Sequence, residues 1–210
     1  MDALVTAVLH EYDERMAREH KIAGTLSGAE FEWRKNEFLL PVGAEAGNLL
    51  NMLIKSSKSQ LIVEVGTSYG YSTVWLAEAA RATGGKLVSL DLDRAKVDYA
   101  RKRLAQAGLG GWVDFKVGDA LASIAALTEP VDFVLIDLWK DLYVSCLEAI
   151  YPRLSDGALL AADNVISPAS SAAAAALYVA AVKVKPGIQT VTVPIGNGIE
   201  LSRFTKPARG

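Results

Sequence analysis

The sequence predicts an α/β protein: a seven-stranded, mostly parallel sheet with an antiparallel C-terminal strand, helices on both faces and extra N-terminal helices. Three observations carry this reading. From Leu61 onward, short aliphatic runs alternate with helical patterns, as they do in βαβ units. Runs such as VDFVLI (131–136) and GALLAA (157–162) are apolar without alternation, which is how strands buried on both faces read. The last two runs are joined only by Pro194-Ile195-Gly196-Asn197-Gly198, too short for a crossover, so they pair antiparallel.

In chain order, Leu4, Val5, Val8, Leu9, Tyr12 and Met16 share one face of a helix over 3–19 with a charged back. Gly24 and Gly28 break that pattern, and Ser27 is placed to cap a second helix reaching Phe38. A turn at Pro41 and Gly43 precedes a third helix over 44–55. Strands are expected at 61–65, 86–91, 112–117, 131–136 and 157–162, with helices at 72–82, 94–107, 120–127 and 142–153. A last helix covers 169–183: its alanine run 172–176 favours helix, and Leu177, Tyr178 and Val182 supply a core face. Strands at 188–193 and 198–204 follow. A chain of 210 residues suits one domain, 1–210, with 1–57 as a helical cap and access segment and 58–210 as the α/β core.

Composition narrows the functional classes. With 22 basic and 24 acidic residues, no global field recruits nucleic acid or a membrane surface. Hydrophobic content of 51% argues for a packed globule. The single cysteine, Cys146, lies in a helical pattern and reads as a small buried hydrophobe, in keeping with a reducing compartment. The N-terminus lacks the basic n-region of a signal peptide, and no apolar run is long enough to span a bilayer, so a cytoplasmic protein is expected, monomer or homodimer.

Ligands of open α/β sheets gather beyond the carboxyl ends of the strands. Asp137-Leu138-Trp139-Lys140 follows the fourth strand and Asp163-Asn164 the fifth. Neighbouring strands would bring Asp137, Asp163, Asn164 and Lys140 to one rim, where hard oxygen ligands beside an amine suit a divalent cation and a base. Earlier, VEVGTSYGYS (63–72) is a strand followed by a glycine turn that opens a helix. Its spacing is G-x-x-x-G, which departs from the G-x-G-x-x-G of pyrophosphate loops and weighs against a nicotinamide-dependent reductase. Asp91 closes the second strand, where a carboxylate can accept ribose hydroxyls, and Asp119 follows the third. A ribose-binding acid without a phosphate loop points to a nucleoside lacking phosphates, and S-adenosylmethionine fits.

The segments VEVGTSYGYS, SLDLD, VLIDLWKDLY and LLAADNVISP together resemble the catechol O-methyltransferase family of metal- and S-adenosylmethionine-dependent enzymes. The resemblance runs from about Phe38 to Pro168, with Leu40–Gly47 similar to the family's access segment, and PIGNGIELSRF agrees more weakly. The resemblance implies a Rossmann-like class I methyltransferase fold. It implies Asp137, Asp163 and Asn164 as magnesium ligands and Lys140 as the base. Asp91 would meet the ribose of the cofactor, Val42, Gly66, Tyr71 and Ser72 its methionine end, and Ala120 and Trp139 its adenine, with Asp119 and Asp137 close by. Phe38, Leu40, Trp139 and Pro168 would wall a phenolic, catechol-like acceptor that reaches Lys140 and Asn164. The sequence departs from the family where a late glutamate contacts the second substrate hydroxyl: the matching place falls near Val191 and Thr192, and Glu200 lies too late in the chain to replace it. An RNA-directed O-methyltransferase of the same family is the alternative, opposed by the acidic pI of about 5.8 and the lack of a basic stripe.

Overall fold

The computed structural model describes residues 1–207. Three helices come first: α1 (Ala3–Ala23), α2 (Gly28–Arg34) and α3 (Ala44–Ser57). The alternating part runs β1 (Leu61–Val65), α4 (Tyr71–Thr83), β2 (Lys86–Asp91), α5 (Arg94–Gln106), β3 (Val113–Val117), α6 (Ala120–Ala125), β4 (Val131–Ile136), α7 (Tyr143–Ile150) and β5 (Leu154–Ala162). It continues through α8 (Ala172–Lys183), β6 (Ile188–Val193) and β7 (Ile199–Phe204). The strand order is β3-β2-β1-β4-β5-β7-β6. β1 to β5 are parallel, and β7 runs antiparallel to both β5 and β6.

Period-two alternation sends the strand side chains to two cores. Ile62, Phe133 and Leu135 pack with Leu50 of α3, Leu76 of α4 and Val97 of α5, and Val5 and Tyr12 of α1 join that face. Val63, Val134 and Ile136 pack on the other face with Ile124 of α6, Leu147 of α7 and Tyr178 of α8. Polar N-caps start several helices: Ser27 forms a capping box with Glu30 for α2, Asp93 caps α5 and Asp119 caps α6.

Several boundaries depart from the expectation, each for a local reason. The second helix stops at Arg34 and tightens to a 3-10 turn over Lys35–Glu37, so Phe38 lies beyond it. The stretch expected as one helix over 142–153 is α7 flanked by 3-10 turns at Lys140–Leu142 and Tyr151–Arg153, the second of which holds Pro152, a residue with no amide to continue the ladder. The last helix likewise opens with a 3-10 turn, Ala169–Ser171. β5 starts three residues before Gly157, which looked like a strand boundary. Gly157 instead takes φ 84° at an irregularity where the register against β4 shifts.

The carboxyl edge of the sheet is stitched by amides that lie just past the strands. Gly66 N–H donates to Leu90 O (2.9 Å), Asp137 N–H to Val65 O (2.9 Å) and Asp163 N–H to Ile136 O (3.1 Å). Gly66 has φ 110°, and a Cβ there would meet the Asp137 carbonyl oxygen at 2.0 Å. Its glycine is therefore required for close approach of β1 to the residue after β4. Gly66→Ala is expected to cost roughly 2–4 kcal/mol, from left-handed strain plus overpacking. Urea unfolding checks it, and wild-type stability for this variant would contradict the close approach.

Candidate active site

Asp137, Lys140, Asp163 and Asn164 converge beyond β4 and β5. Ile136 and Ala162 are cross-strand partners, so the residues that follow leave the sheet side by side. Lys140 Nζ donates to Asn164 Oδ1 (2.8 Å), Tyr143 Oη (2.6 Å) and Leu138 O (3.1 Å), and lies 3.5 Å from Asp137 Oδ1. Asn164 takes a left-handed φ of 57°, which asparagine tolerates and which turns the chain off the strand. Tyr143 is fully buried; its hydroxyl donates to Asp163 O (3.1 Å) while accepting from Lys140, tying the amine to the β5 loop. The sequence reading missed Tyr143, although its place one helical turn after Lys140 is a usable signal.

The two carboxyl groups are in strained electrostatic surroundings. Asp163 is 2% exposed, and burial together with the nearby Asp137 charge pushes its pKa up to about 8. Burial also raises Asp137, against the pull of Lys140. Asp163 Oδ1 is buried with no hydrogen-bond partner. Such an orphaned oxygen, beside a second carboxylate and an amide oxygen, fits a hard divalent cation. Among the described residues no group of three His, Cys, Asp or Glu side chains forms a metal site; the set here is two carboxylates and one amide.

A second part of the site is a narrow cleft between the access segment at 39–42 and the turn after β1, lined by Leu40, Val42, Gly66, Tyr71, Ser72 and Asp137 among others. Under it lies Glu64, fully buried in β1, whose carboxylate accepts hydrogen bonds from Ser72, Thr73 and Ser89 at 2.6–2.7 Å. Desolvation outweighs those donors and lifts its pKa to about 7. Glu64 had a signal that was overlooked, the lone charge in LIVEV. Along the same rim, Asp91 accepts from Ser68 N–H (2.6 Å) and Asp93 N–H (2.8 Å), which aims its carboxylate across the turn. The side chain of Asp119 is engaged as the N-cap of α6 through Ala122 N–H (2.7 Å), with Ala120 half-buried beside it.

At the mouth, Phe38 is buried and stacked on Phe31, whereas Leu40 and Trp139 are 51% and 48% exposed. Pro168 is exposed on the loop from Asn164 to α8. Helix α1 positions this mouth. Glu19 accepts from Leu39 N–H (2.7 Å) and pairs with Arg15 (2.6 Å), Arg15 donates to Glu37 O (3.3 Å), and Tyr69 Oη donates to Asn36 O (3.4 Å). Glu200 is fully buried opposite Ala162 in β7, where the Thr190 and Thr192 hydroxyls donate to it, and Val191 is exposed.

These features define the class first: the strand order and the site edge are those of a Rossmann-like methyltransferase fold. The O-methyltransferase TomG from Streptomyces achromogenes, solved in complex with SAM, superposes with a TM-score of 0.77 at 23% identity, over 98% of this chain and 91% of that one. The O-methyltransferase family model matches residues 13–205, and the chain belongs to that family. A catechol O-methyltransferase of Niastella koreensis is 32% identical over 131 residues, 60% of this chain and 59% of the relative. Caffeoyl-CoA O-methyltransferase 2 of Eucalyptus globulus is 28% identical over 188 residues, 79% of this chain and 75% of the relative. The first of these matches thus spans less than two thirds of the relative's length.

Glu64 generates a pH prediction. Its folded pKa lies above the ordinary value of 4.5, so the folded state holds the proton more tightly. The contribution of Glu64 to stability is therefore fully present below pH 4.5 and is lost as the pH rises to about 7. Relative to Glu64→Gln, the wild type should lose about 3 kcal/mol across that window. Parallel denaturant titrations of both proteins measure the difference; a pH-independent difference would remove the buried carboxyl as its source.

Proposed function

We propose that the protein transfers the methyl group of S-adenosylmethionine to a hydroxyl of a catechol-like small molecule with two adjacent oxygens, in a site that also holds magnesium or another divalent cation. The carrying observation is the convergence of Asp137, Asn164 and Lys140 around a buried carboxylate, Asp163, whose Oδ1 has no partner. Membership in the O-methyltransferase family and the catechol and caffeoyl-CoA names of its relatives support the acceptor class.

Asp137, Asp163 and Asn164 would hold the cation, which when bound supplies Lewis-acid stabilisation of an oxyanion and a template for neighbouring oxygens. The cleft formed by Val42, Gly66, Tyr71 and Ser72 would seat the methionine end of the cofactor, since Gly66 presents bare backbone there. The Asp91 carboxylate, oriented by two backbone amides, keeps lone pairs free for ribose hydroxyls. Lys140, within reach of the acceptor oxygen, would take the hydroxyl proton as the oxygen attacks the methyl carbon. The carbon–sulfur bond breaks as the carbon–oxygen bond forms in line, and the cofactor leaves as a neutral thioether. Phe38, Leu40, Trp139 and Pro168 would hold the acceptor ring, and alignment of the two reactants would supply much of the rate.

Methylation of catechol by the purified protein should require added magnesium and stop in EDTA; full activity in EDTA would overturn the cation's role. Asp137→Ala should abolish that turnover while S-adenosylmethionine still binds by calorimetry. Lys140→Ala should lower kcat by about 10²–10⁴-fold, the range of general-base catalysis, with a modest change in KM. A near-wild-type kcat for that variant would exclude lysine as the base.

A further inference from the structure

We propose that Lys35 forms an anion subsite at the mouth, making the protein selective for diols that carry a carboxylate on the side of the ring away from the hydroxyls. The inference rests on the acceptor site described under Proposed function and deepens it. Lys35 Nζ lies 4.7 Å over the ring of Trp139, which is next in sequence to Lys140 and 48% exposed. Because Trp139 adjoins Lys140 in the chain, an acceptor with its oxygens at Lys140 and Asn164 would run past Trp139 and bring its far end toward this ammonium. A substituent there meets a cation held against an aromatic wall, where a carboxylate is favoured and a neutral ring gains little.

Two details single out Lys35 from its neighbour. Arg34 also stands over an aromatic wall, 5.9 Å from the Phe38 ring, but it is committed to Glu37 through two hydrogen bonds (3.0 and 2.8 Å). Lys35 has one carboxylate partner, Glu32 at 2.7 Å, whose side chain is 59% exposed. Exposed pairs of that kind are weak, so a ligand carboxylate can displace Glu32 at little cost. The backbone that carries Lys35 is also held in place: its 3-10 turn is anchored by Arg15 at Glu37 O and by Tyr69 at Asn36 O. With the chain's net charge at −2, the preference is local to this mouth.

The test compares catechol with 3,4-dihydroxybenzoate in the presence of magnesium, for wild type, Lys35→Gln, Lys35→Arg and Lys35→Glu. The readouts are kcat and KM, plus calorimetric affinity for each diol with S-adenosylhomocysteine present. Lys35→Gln should lower the preference in kcat/KM for the carboxylated diol by about fivefold, carried by KM, as expected for a partly exposed charge contact. Lys35→Arg should restore the preference, Lys35→Glu should reverse it, and added salt should shrink it in the wild type. An equal change for both diols, or no change, overturns the subsite while leaving the acceptor reading intact. If the wild type neither binds nor methylates either diol, the proposed function falls and this inference falls with it.

Discussion

Parallel strands β1, β4 and β5 end side by side, and the chain leaving each of them still donates its next amide to a neighbouring strand. Gly66 bonds to Leu90, Asp137 to Val65 and Asp163 to Ile136, so the first residue past each strand is held in a row along one edge. Parallel pairing puts all the carboxyl ends on that edge, and burial of the sheet on both faces leaves the edge as the place where polar side chains meet solvent. The candidate metal ligands, the amine of Lys140 and the cleft under the access segment all hang from this row. A bulky residue at Gly66 would push directly on the carbonyl of Asp137, so the cleft and the carboxylate cluster are mechanically one unit.

Two buried carboxylates show how differently the fold treats charge. Glu64 receives three hydroxyl donors from α4 and β2 and so pins the start of α4 to the sheet. Asp163 receives no donor at one oxygen and lies near a second carboxylate. An isolated buried charge costs several kcal/mol, and polypeptide alternatives for satisfying it were available, as Glu64 demonstrates. Asp163 Oδ1 is left bare near a second carboxylate, which makes it a candidate cation ligand. Lys140 is meanwhile fixed by Tyr143 and Asn164 rather than by a close pair with either aspartate.

The N-terminal helices act on the site through contacts distant in sequence. Tyr12 Oη donates to Tyr69 O (2.5 Å), and the Arg15 guanidinium lies over the Tyr69 ring at 4.1 Å. With Glu19 on Leu39 N–H, α1 fixes both the first turn and the access segment that faces it. The width of the cleft is therefore set by a helix that contributes no side chain to its lining, and the aromatic mouth inherits its cations from the turn that α1 anchors.

Local pattern alone determined the strand positions, the antiparallel end and the two polar segments after β4 and β5. Those features depend on periodicity, on turn length and on the rule that parallel strands deliver their carboxyl ends to one edge. The residues Asp137, Lys140, Asp163 and Asn164 were legible for the same reason: each follows an apolar run whose end is visible in the sequence. Tertiary structure decided the rest. Gly157 reads as a boundary but sits inside β5, because only the partner strand reveals a shifted register. Asp119 reads in the sequence as an acid just past a strand, and only the fold shows that its side chain caps α6. Tyr143, Glu64 and the Arg15–Glu19 anchor gain their roles from partners that only folding brings close: β2, the β5 loop and the access segment. Sequence periodicity specifies which face and which end a residue occupies, whereas burial, orphaned oxygens and long-range hydrogen bonds exist only once the chain has packed.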